Sequence, residues 1–351
     1  MLIIRFSALG DILMSVPVID ALARQYPEIN ITVVSRPYVG PVMRMLPQNV
    51  SFVGVNPRNY KGLGGLHRLY KELKALHPTV VADFHNVLRT SCLRFFFKLG
   101  GIKTAYLNKD RLPRKKFIKS VVKTQQRTAF ERYQQVLAEL GFPVRIDWYQ
   151  PFSLFGCKSQ LVMGEQQELD THFSVHSQQG EELFVKENAI GVAPFAAHKG
   201  KIYPLDKMEQ VVAELSQQMH VYLFGAGSEE KSLMEQWEQK YPNVESVVGR
   251  LADMGEELRL MSRLRLMLAM DSGNMHLASL AGVPVVSIWG ATHPLGGFLA
   301  WGQSMDNVIQ QDMPCRPCSV YGSKPCRCGD YRCLTRISPE RIVTAISKLV
   351  N

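Results

Sequence analysis

Leu266-Met267-Leu268-Ala269-Met270-Asp271-Ser272-Gly273-Asn274-Met275-His276-Leu277-Ala278 is the stretch on which the fold turns. Its first five residues are apolar and read as a buried strand; the small polar residues after them read as a tight turn opening a helix. A helix entered this way leaves its first backbone N–H groups free at its positive end, which is a receptor for phosphate. Capping by Asp271 or Ser272 accounts for those two residues, but not for Gly273 and His276 on the same opening turn.

The same grammar stands at the start of the chain. Met1 to Phe6 is apolar, Ser7-Ala8-Leu9-Gly10-Asp11 turns, and Ile12, Leu13, Val16, Ile19 and Leu22 follow at helical spacing. Working outward, strands are predicted at 29–35, 50–55, 80–83 and 103–107, with a helix at 70–76. A polar, Gln-rich region, 151–187, breaks the rhythm and reads as a linker. Alternation resumes with strands at 189–193, 221–224, 266–270 and 285–289 and helices at 205–217, 228–239 and 254–262. Strands alternating with helices predict an α/β protein of two Rossmann-like, doubly wound domains, 1–150 and 188–338, facing a central cleft. The amphipathic C-terminal helix, 339–351, is expected to pack back on the N-terminal domain.

The composition of the 351 residues, 46% hydrophobic and 21% charged, excludes a disordered chain, a collagen-like repeat and a small disulfide scaffold. Lys and Arg number 41 against 31 Asp and Glu, a net charge of +10 that favours acidic partners. Much of the excess is local: Lys103 to Arg132 holds ten Lys or Arg and only Asp110 and Glu131 as acids. Drawn as a helix, Phe117, Ile118, Val121 and Val122 form an apolar face flanked by Lys115, Lys116, Lys119 and Lys123. That pattern suits an anionic membrane surface or amphiphile, and equally a solvated helix packed through its apolar side.

No run of 18 apolar residues is free of charge, so a transmembrane helix is not expected. Seven cysteines, an odd count without a secretory signal, predict a reducing, cytoplasmic location. Cys315, Cys318, Cys326, Cys328 and Cys333 cluster near the C-terminus; a tetrahedral zinc site is the lesser reading and free thiols the preferred one. Walker A, His-Glu-x-x-His, Gly-x-Ser-x-Gly and Asp-x-Asp patterns are all absent, so no metal ligands are assigned and no cofactor is expected.

Three further positions carry chemistry. Asp11, on the first turn of its helix, is placed to act as a general base, or simply to favour the helix dipole. Lys201, in Lys199-Gly200-Lys201-Ile202-Tyr203-Pro204, offers a flexible cation to a diphosphate, or is a solvated loop lysine. Glu229, behind the Gly225-Ala226-Gly227 turn, offers a carboxylate to ribose hydroxyls, although the turn is not the Gly-x-Gly-x-x-Gly fingerprint.

Taken together, Arg5 to Asp11, Asp271 to Ala278 and Pro284 to Pro294 (PVVSIWGATHP) resemble glycosyltransferase family 9, the ADP-heptose:lipopolysaccharide heptosyltransferases, over nearly the whole chain. The resemblance implies a GT-B fold and an inverting, metal-independent transfer from ADP-heptose to the lipopolysaccharide inner core. It implies Asp11 as catalytic base. It places Gly10, Lys201, Glu229, Asp271, Ser272, Gly273, Asn274 and His276 at the donor. Asp83, His85 and Arg89 match the family's acceptor-facing segment, and Lys115, Lys116 and Lys119 are expected to meet an anionic lipid A-type acceptor at the inner membrane surface.

Departures stand beside it. Ala196 and Ala197 replace hydroxyl residues ahead of the lysine, Tyr203 replaces a tryptophan, and Asn274 replaces a proline. Two rival classes remain open at this stage. One is a GT-B enzyme using a UDP- or GDP-sugar, including an epimerase; the other is a nucleic-acid binder, which leaves the Asp11 and Asp271 turns without a role.

Overall fold

The computed structural model describes residues 1–146, 154 and 174–350. It divides into two units: Met1–Arg111 with Arg127–Asp147, and Leu112–Gln126 with Trp148–Asn351.

The first unit is a five-stranded parallel sheet of β1 (Leu2–Ile4), β2 (Ile31–Ser35), β3 (Val50–Gly54), β4 (Val80–Asp83) and β5 (Lys103–Tyr106), in the order β3-β2-β1-β4-β5. β1 is central and buried on both faces, which is why it reads as an unbroken apolar run rather than an alternating one. Around the sheet lie α1 (Leu9–Leu13), α2 (Val16–Gln25), α3 (Gly40–Met43), α4 (Gly62–Lys74) and α5 (Leu88–Leu99). One core joins Leu2, Ile4 and Val81 of the sheet to Leu69 and Leu73 of α4 and Leu93 and Phe97 of α5. α4 begins well before the predicted 70–76, and its glycine-rich first turn hides that start in the sequence. Glycine disfavours helix, yet a Cβ at Gly65 would lie 2.6 Å from the Tyr60 carbonyl carbon, so close backbone approach requires it.

α6 (Arg111–Lys119) belongs almost wholly to the second unit, although it falls within the expected 1–150 domain in sequence. Its Phe117 is buried, meeting the His293 ring edge-on at 5.9 Å, and Gln126 N–H donates to the Leu295 carbonyl at 2.8 Å. α7 (Ala129–Leu140) returns to the first unit and packs on β4 and β5.

The second unit opens, within the described part of the predicted linker, with the hairpin β6 (Ser174–His176) and β7 (Glu182–Phe184). Its main sheet holds β8 (Ala189–Ala193), β9 (His220–Leu223), β10 (Val244–Ser246), β11 (Met267–Met270), β12 (Val285–Trp289) and β13 (Val308–Gln310), all parallel in the order β10-β9-β8-β11-β12-β13. Each sheet reverses direction beside its first strand, the arrangement that opens a ligand crevice at the strands' carboxyl ends. The helices are α8 (Leu205–Leu215), α9 (Ser228–Lys240), α10 (Met254–Met261), α11 (Gly273–Ala281), α12 (Arg332–Thr335) and α13 (Pro339–Val350).

α13 has the predicted bounds but a different seat. Ile342, Val343, Ile346 and Val350 share a core with Met208, Val211, Val212 and Leu215 of α8, so the C-terminal helix completes the second unit's own core. Its apolar stripe is thus satisfied within the second unit.

Candidate functional site

In the first unit the Ser7–Asp11 turn connects β1 to α1 and places Asp11 on the first helical turn. The buried Arg5 side chain, at the end of β1, holds the Asp11 carboxylate, with its Nη2 2.5 Å from Oδ2. Arg5 also donates to the Phe84 carbonyl, and its guanidinium lies 5.7 Å from the centre of the Tyr133 ring. Tyr133 O–H donates to the Asp11 carbonyl at 2.9 Å, and Phe84 stacks on Tyr133 at 4.6 Å. Asp11 is therefore gripped through both its side chain and its backbone, and it remains partly accessible. Gly10, assigned to the donor from sequence, lies beside it in this unit.

His85 joins the cluster, its Nε2 3.1 Å from Ser7 Oγ. Burial, reinforced by the Arg5 and Lys109 charges, lowers the His85 pKa to about 4, so the imidazole is neutral at pH 7. The same crowding lowers the Lys109 pKa, through burial first and then Arg5. Arg89, on the first turn of α5, is near enough to act electrostatically on His85.

Asp83, expected at the acceptor, is engaged within the protein. It is fully buried at the end of β4, where Oδ1 accepts from the His85 and Asn86 backbone N–H groups at 2.9 and 2.8 Å and Oδ2 pairs with Arg94 Nε at 2.9 Å. Its Oδ1 thereby shapes the loop that carries His85. Lys115, Lys116 and Lys119 are exposed on α6, whose residues from Leu112 onward cluster with the second unit, while His85 and Arg89 belong to the first. Of the expected apolar face, Phe117 is packed inward, whereas Val121 and Val122 lie beyond the end of α6 and are exposed.

In the second unit, Lys201 and Asp271 are brought together across 70 residues of sequence. Lys201 stands at the end of a 3-10 turn after β8, Asp271 at the carboxyl end of β11, and Nζ lies 2.9 Å from Oδ2. Thr292, which sequence reasoning did not single out, donates to the same Oδ2 at 2.7 Å. Its signal lay inside the quoted Gly290-Ala291-Thr292-His293-Pro294 run. Asp271 thus anchors the lysine. Gly322, at φ +74°, crosses the lysine stem so closely that a Cβ there would lie 2.7 Å from Lys201 Cγ.

Next to this pair α11 begins, with Ser272 as N-cap and Gly273 and Asn274 on its first turn. Ser272 makes no side-chain cap, and its buried Oγ has no hydrogen-bond partner among the described residues. The first N–H groups of the helix have no partner within it. An anion here would meet a helix terminus, a hydroxyl and a lysine at once. His276 is buried a turn further in. Glu229 is exposed on the first turn of α9, behind Gly227 at φ 87°, while Glu230 accepts from Ala226 N–H at 2.8 Å and so holds the turn.

A strap from the Cys-rich region supports this end of the sheet. Buried Arg316 donates to the carbonyls of Trp289, Gly290, Thr292 and Gln311, and Cys318 N–H to that of Ala291 at 2.8 Å. The lesser zinc reading finds no support: among the described residues no three His, Cys, Asp or Glu form a group able to hold a metal ion. Burial pushes the Cys333 thiol up to about 11 and raises that of Cys318, the behaviour of structural thiols. No described helix is long and apolar enough to cross a membrane.

The sequence profile of glycosyltransferase family 9 (heptosyltransferase) matches residues 66–327. Lipooligosaccharide heptosyltransferase 2 of Haemophilus influenzae is 25% identical over 311 residues, 84% of either chain. The same-named enzyme of a Campylobacter jejuni strain is 24% identical over 164 residues, so the match spans 46% of this chain and 51% of the relative. Among solved structures, a family 9 glycosyl transferase from Veillonella parvula superposes with a TM-score of 0.68 at 19% identity, covering 99% of this chain and 96% of its own. The Escherichia coli ADP-heptose lipopolysaccharide heptosyltransferase II gives 0.66 at 16% identity, covering 99% and 98%.

Proposed function

We propose, from the premise that this chain belongs to glycosyltransferase family 9, the heptosyltransferases, that it transfers heptose from ADP-heptose to a lipopolysaccharide inner-core acceptor with inversion at the anomeric carbon. The observation that carries the donor half is the Lys201–Asp271–Thr292 assembly beside the open start of α11. A departing diphosphate gains negative charge in the transition state. A fixed ammonium, the Ser272 hydroxyl and helix N–H groups stabilise that charge without reorganising. Glu229, exposed behind its glycine turn, takes the ribose hydroxyls.

Asp11 is the base. It accepts the proton of the attacking hydroxyl as that oxygen bonds to the anomeric carbon and the C–O bond to the diphosphate breaks. General-base catalysis of this kind contributes roughly 10²–10⁴ in rate. Neutral His85, paired with Ser7, orients the acceptor by hydrogen bonding, and Arg89 supplies positive charge for an acceptor phosphate. The chemistry uses no cofactor and draws its charge stabilisation from protein groups. An acceptor of this class is amphiphilic and anionic, consistent with the net charge of +10 and with work at the cytoplasmic face of the inner membrane.

The test is calorimetric titration with ADP, UDP and GDP, followed by turnover with ADP-heptose and a lipid A-type acceptor and by assignment of the product's anomeric configuration. Selective ADP binding and an inverted glycoside are expected. Preference for UDP or GDP, turnover without acceptor, or retained configuration would each overturn the assignment.

A further inference from the structure

A second surface in the first unit lies outside this chemistry except at its edge, where Arg89 stands. On α5 the residues Leu88, Cys92, Phe95 and Leu99 fall at i, i+4, i+7 and i+11, a single stripe, while Thr90, Leu93 and Phe97 face the core. The helix is therefore apolar on two sides. The outward stripe is uncovered: Leu88 is 84% exposed, Phe95 59% and Leu99 71%. Across from it Leu63, on the first turn of α4, is 71% exposed. The two helices enclose an open groove of about 630 Å³ lined by Leu63, Gly64, His67, Cys92, Phe95 and Phe96, with Ser91 the one hydroxyl among its lining residues.

The rim is cationic. At helical spacing Arg89 and Lys98 flank the α5 stripe on opposite sides, and Lys71 and Lys74 stand exposed on α4. Together the two helices carry six Lys or Arg against the single acid Glu72, which is engaged by Tyr60 O–H at 2.5 Å. Protruding Leu and Phe side chains ringed by cations match the chemistry of an anionic phospholipid surface, with hydrocarbon below and negative headgroups at the boundary. A second copy fits less well, because a symmetric pairing through this face would set the two cationic rims against each other.

Both helices start at the carboxyl ends of their strands, the end that holds Asp11 and His85, so the stripe runs about 16 Å from that end along α5. We infer that the α4–α5 face is the bilayer-docking surface of this protein: Leu63, Leu88, Phe95 and Leu99 enter the headgroup–acyl boundary, and Lys71, Lys74 and Lys98 meet anionic headgroups. This deepens the proposed function by saying how the protein reaches an acceptor embedded in lipid, and rests on that reading for its purpose but not for its test.

The test is co-flotation of the full chain with vesicles of phosphatidylglycerol and phosphatidylethanolamine, against vesicles of phosphatidylcholine, with ADP titration and thermal melting run on every variant. The wild type should float with the anionic vesicles and far less with the neutral ones. Leu88→Ser, Phe95→Ser and Leu99→Ser combined should lower partitioning at least about tenfold with melting and ADP binding unchanged. Lys71→Glu, Lys74→Glu and Lys98→Glu should abolish the preference for anionic vesicles. Absence of flotation by the wild type, or flotation untouched by the triple serine variant, overturns the assignment. Concentration-dependent self-association that the serine variant removes overturns it in favour of a second copy. Loss of ADP binding by the wild type bears on the proposed function instead and leaves the flotation result readable.

Discussion

Replacing Asp271 with Asn separates two opposite expectations for the same site. The change keeps the size of the side chain and an acceptor for the Thr292 hydroxyl, and removes only the charge that faces Lys201. If the carboxylate merely competes with an anionic donor, its loss should tighten diphosphate binding. If it fixes the lysine, its loss should weaken it. The geometry favours the second outcome: Nζ and Oδ2 are 2.9 Å apart, with the side chains 15% and 7% exposed. At that separation the gross attraction is about 6 kcal/mol for an effective dielectric constant of about 20. Desolvation of both groups offsets much of it, and breaking a buried pair from one side costs about 3–5 kcal/mol. The lysine can partly turn towards water, so about 2–3 kcal/mol of unfolding free energy should be lost. A freed lysine no longer waits at the diphosphate, so ADP affinity should fall about tenfold, or about 1.4 kcal/mol. Adenosine affinity should be unchanged. Urea unfolding and calorimetric titration with ADP and adenosine measure both quantities. Unchanged or tighter ADP binding would refute the positioning argument, and an equal loss for adenosine would mean that the variant had disturbed the fold.

Three further outcomes follow from the same structure. Arg5→Met should lower kcat about 10–100-fold while leaving the ADP Kd alone, because Arg5 aims Asp11 and belongs to the other unit; an unchanged kcat removes that role. Arg316→Met strands the carbonyls of Trp289, Gly290, Thr292 and Gln311 and should cost about 3 kcal/mol in denaturant unfolding, with ADP binding weakened through Thr292; a loss below about 1 kcal/mol would show that water replaces the guanidinium freely. Burial, with Asp253 adding to it, raises the Glu257 pKa to about 7. A carboxyl with a folded pKa above its unfolded value loses stability as pH rises from about 4.5 through about 7. Glu257→Gln should therefore stabilise the protein by about 1–3 kcal/mol at pH 8 and hardly at all at pH 4.5, and equal effects at both pH values would remove the carboxyl as the cause.

What could be read in advance was set by local physics. The strand–turn–helix at Met267–Ala281 and the strands Ala189–Ala193 and Val285–Trp289 are legible because a strand buried on both faces must be apolar throughout, and because small residues must follow where the chain turns into a helix. The bounds of α13 are legible for a similar reason, since Pro339 suits a first helical turn and the apolar spacing then runs to the end of the helix. α7 was missed although Thr128 and Glu131 form a capping box, a signal that was present and could have been used. α5 escaped because it is apolar on two sides, which blurs the one-faced periodicity by which a helix is recognised.

Residue types along the chain settled the family, the two parallel sheets and the neighbourhoods of Asp11, Lys201 and Asp271. Partnership was decided only in three dimensions. Asp83 looks like an acceptor contact in sequence, yet folding closes Arg94 and two backbone N–H groups around it. Thr292 looks like loop, yet it completes the Asp271 carboxylate. α6 and α13 carry apolar stripes that any sheet could receive, and only packing chose the second unit for both. Periodicity and turn chemistry act between residues a few positions apart, so they are written in the sequence. Burial and charge pairing act between residues made neighbours by the sheet order, and no local pattern records which neighbours those will be.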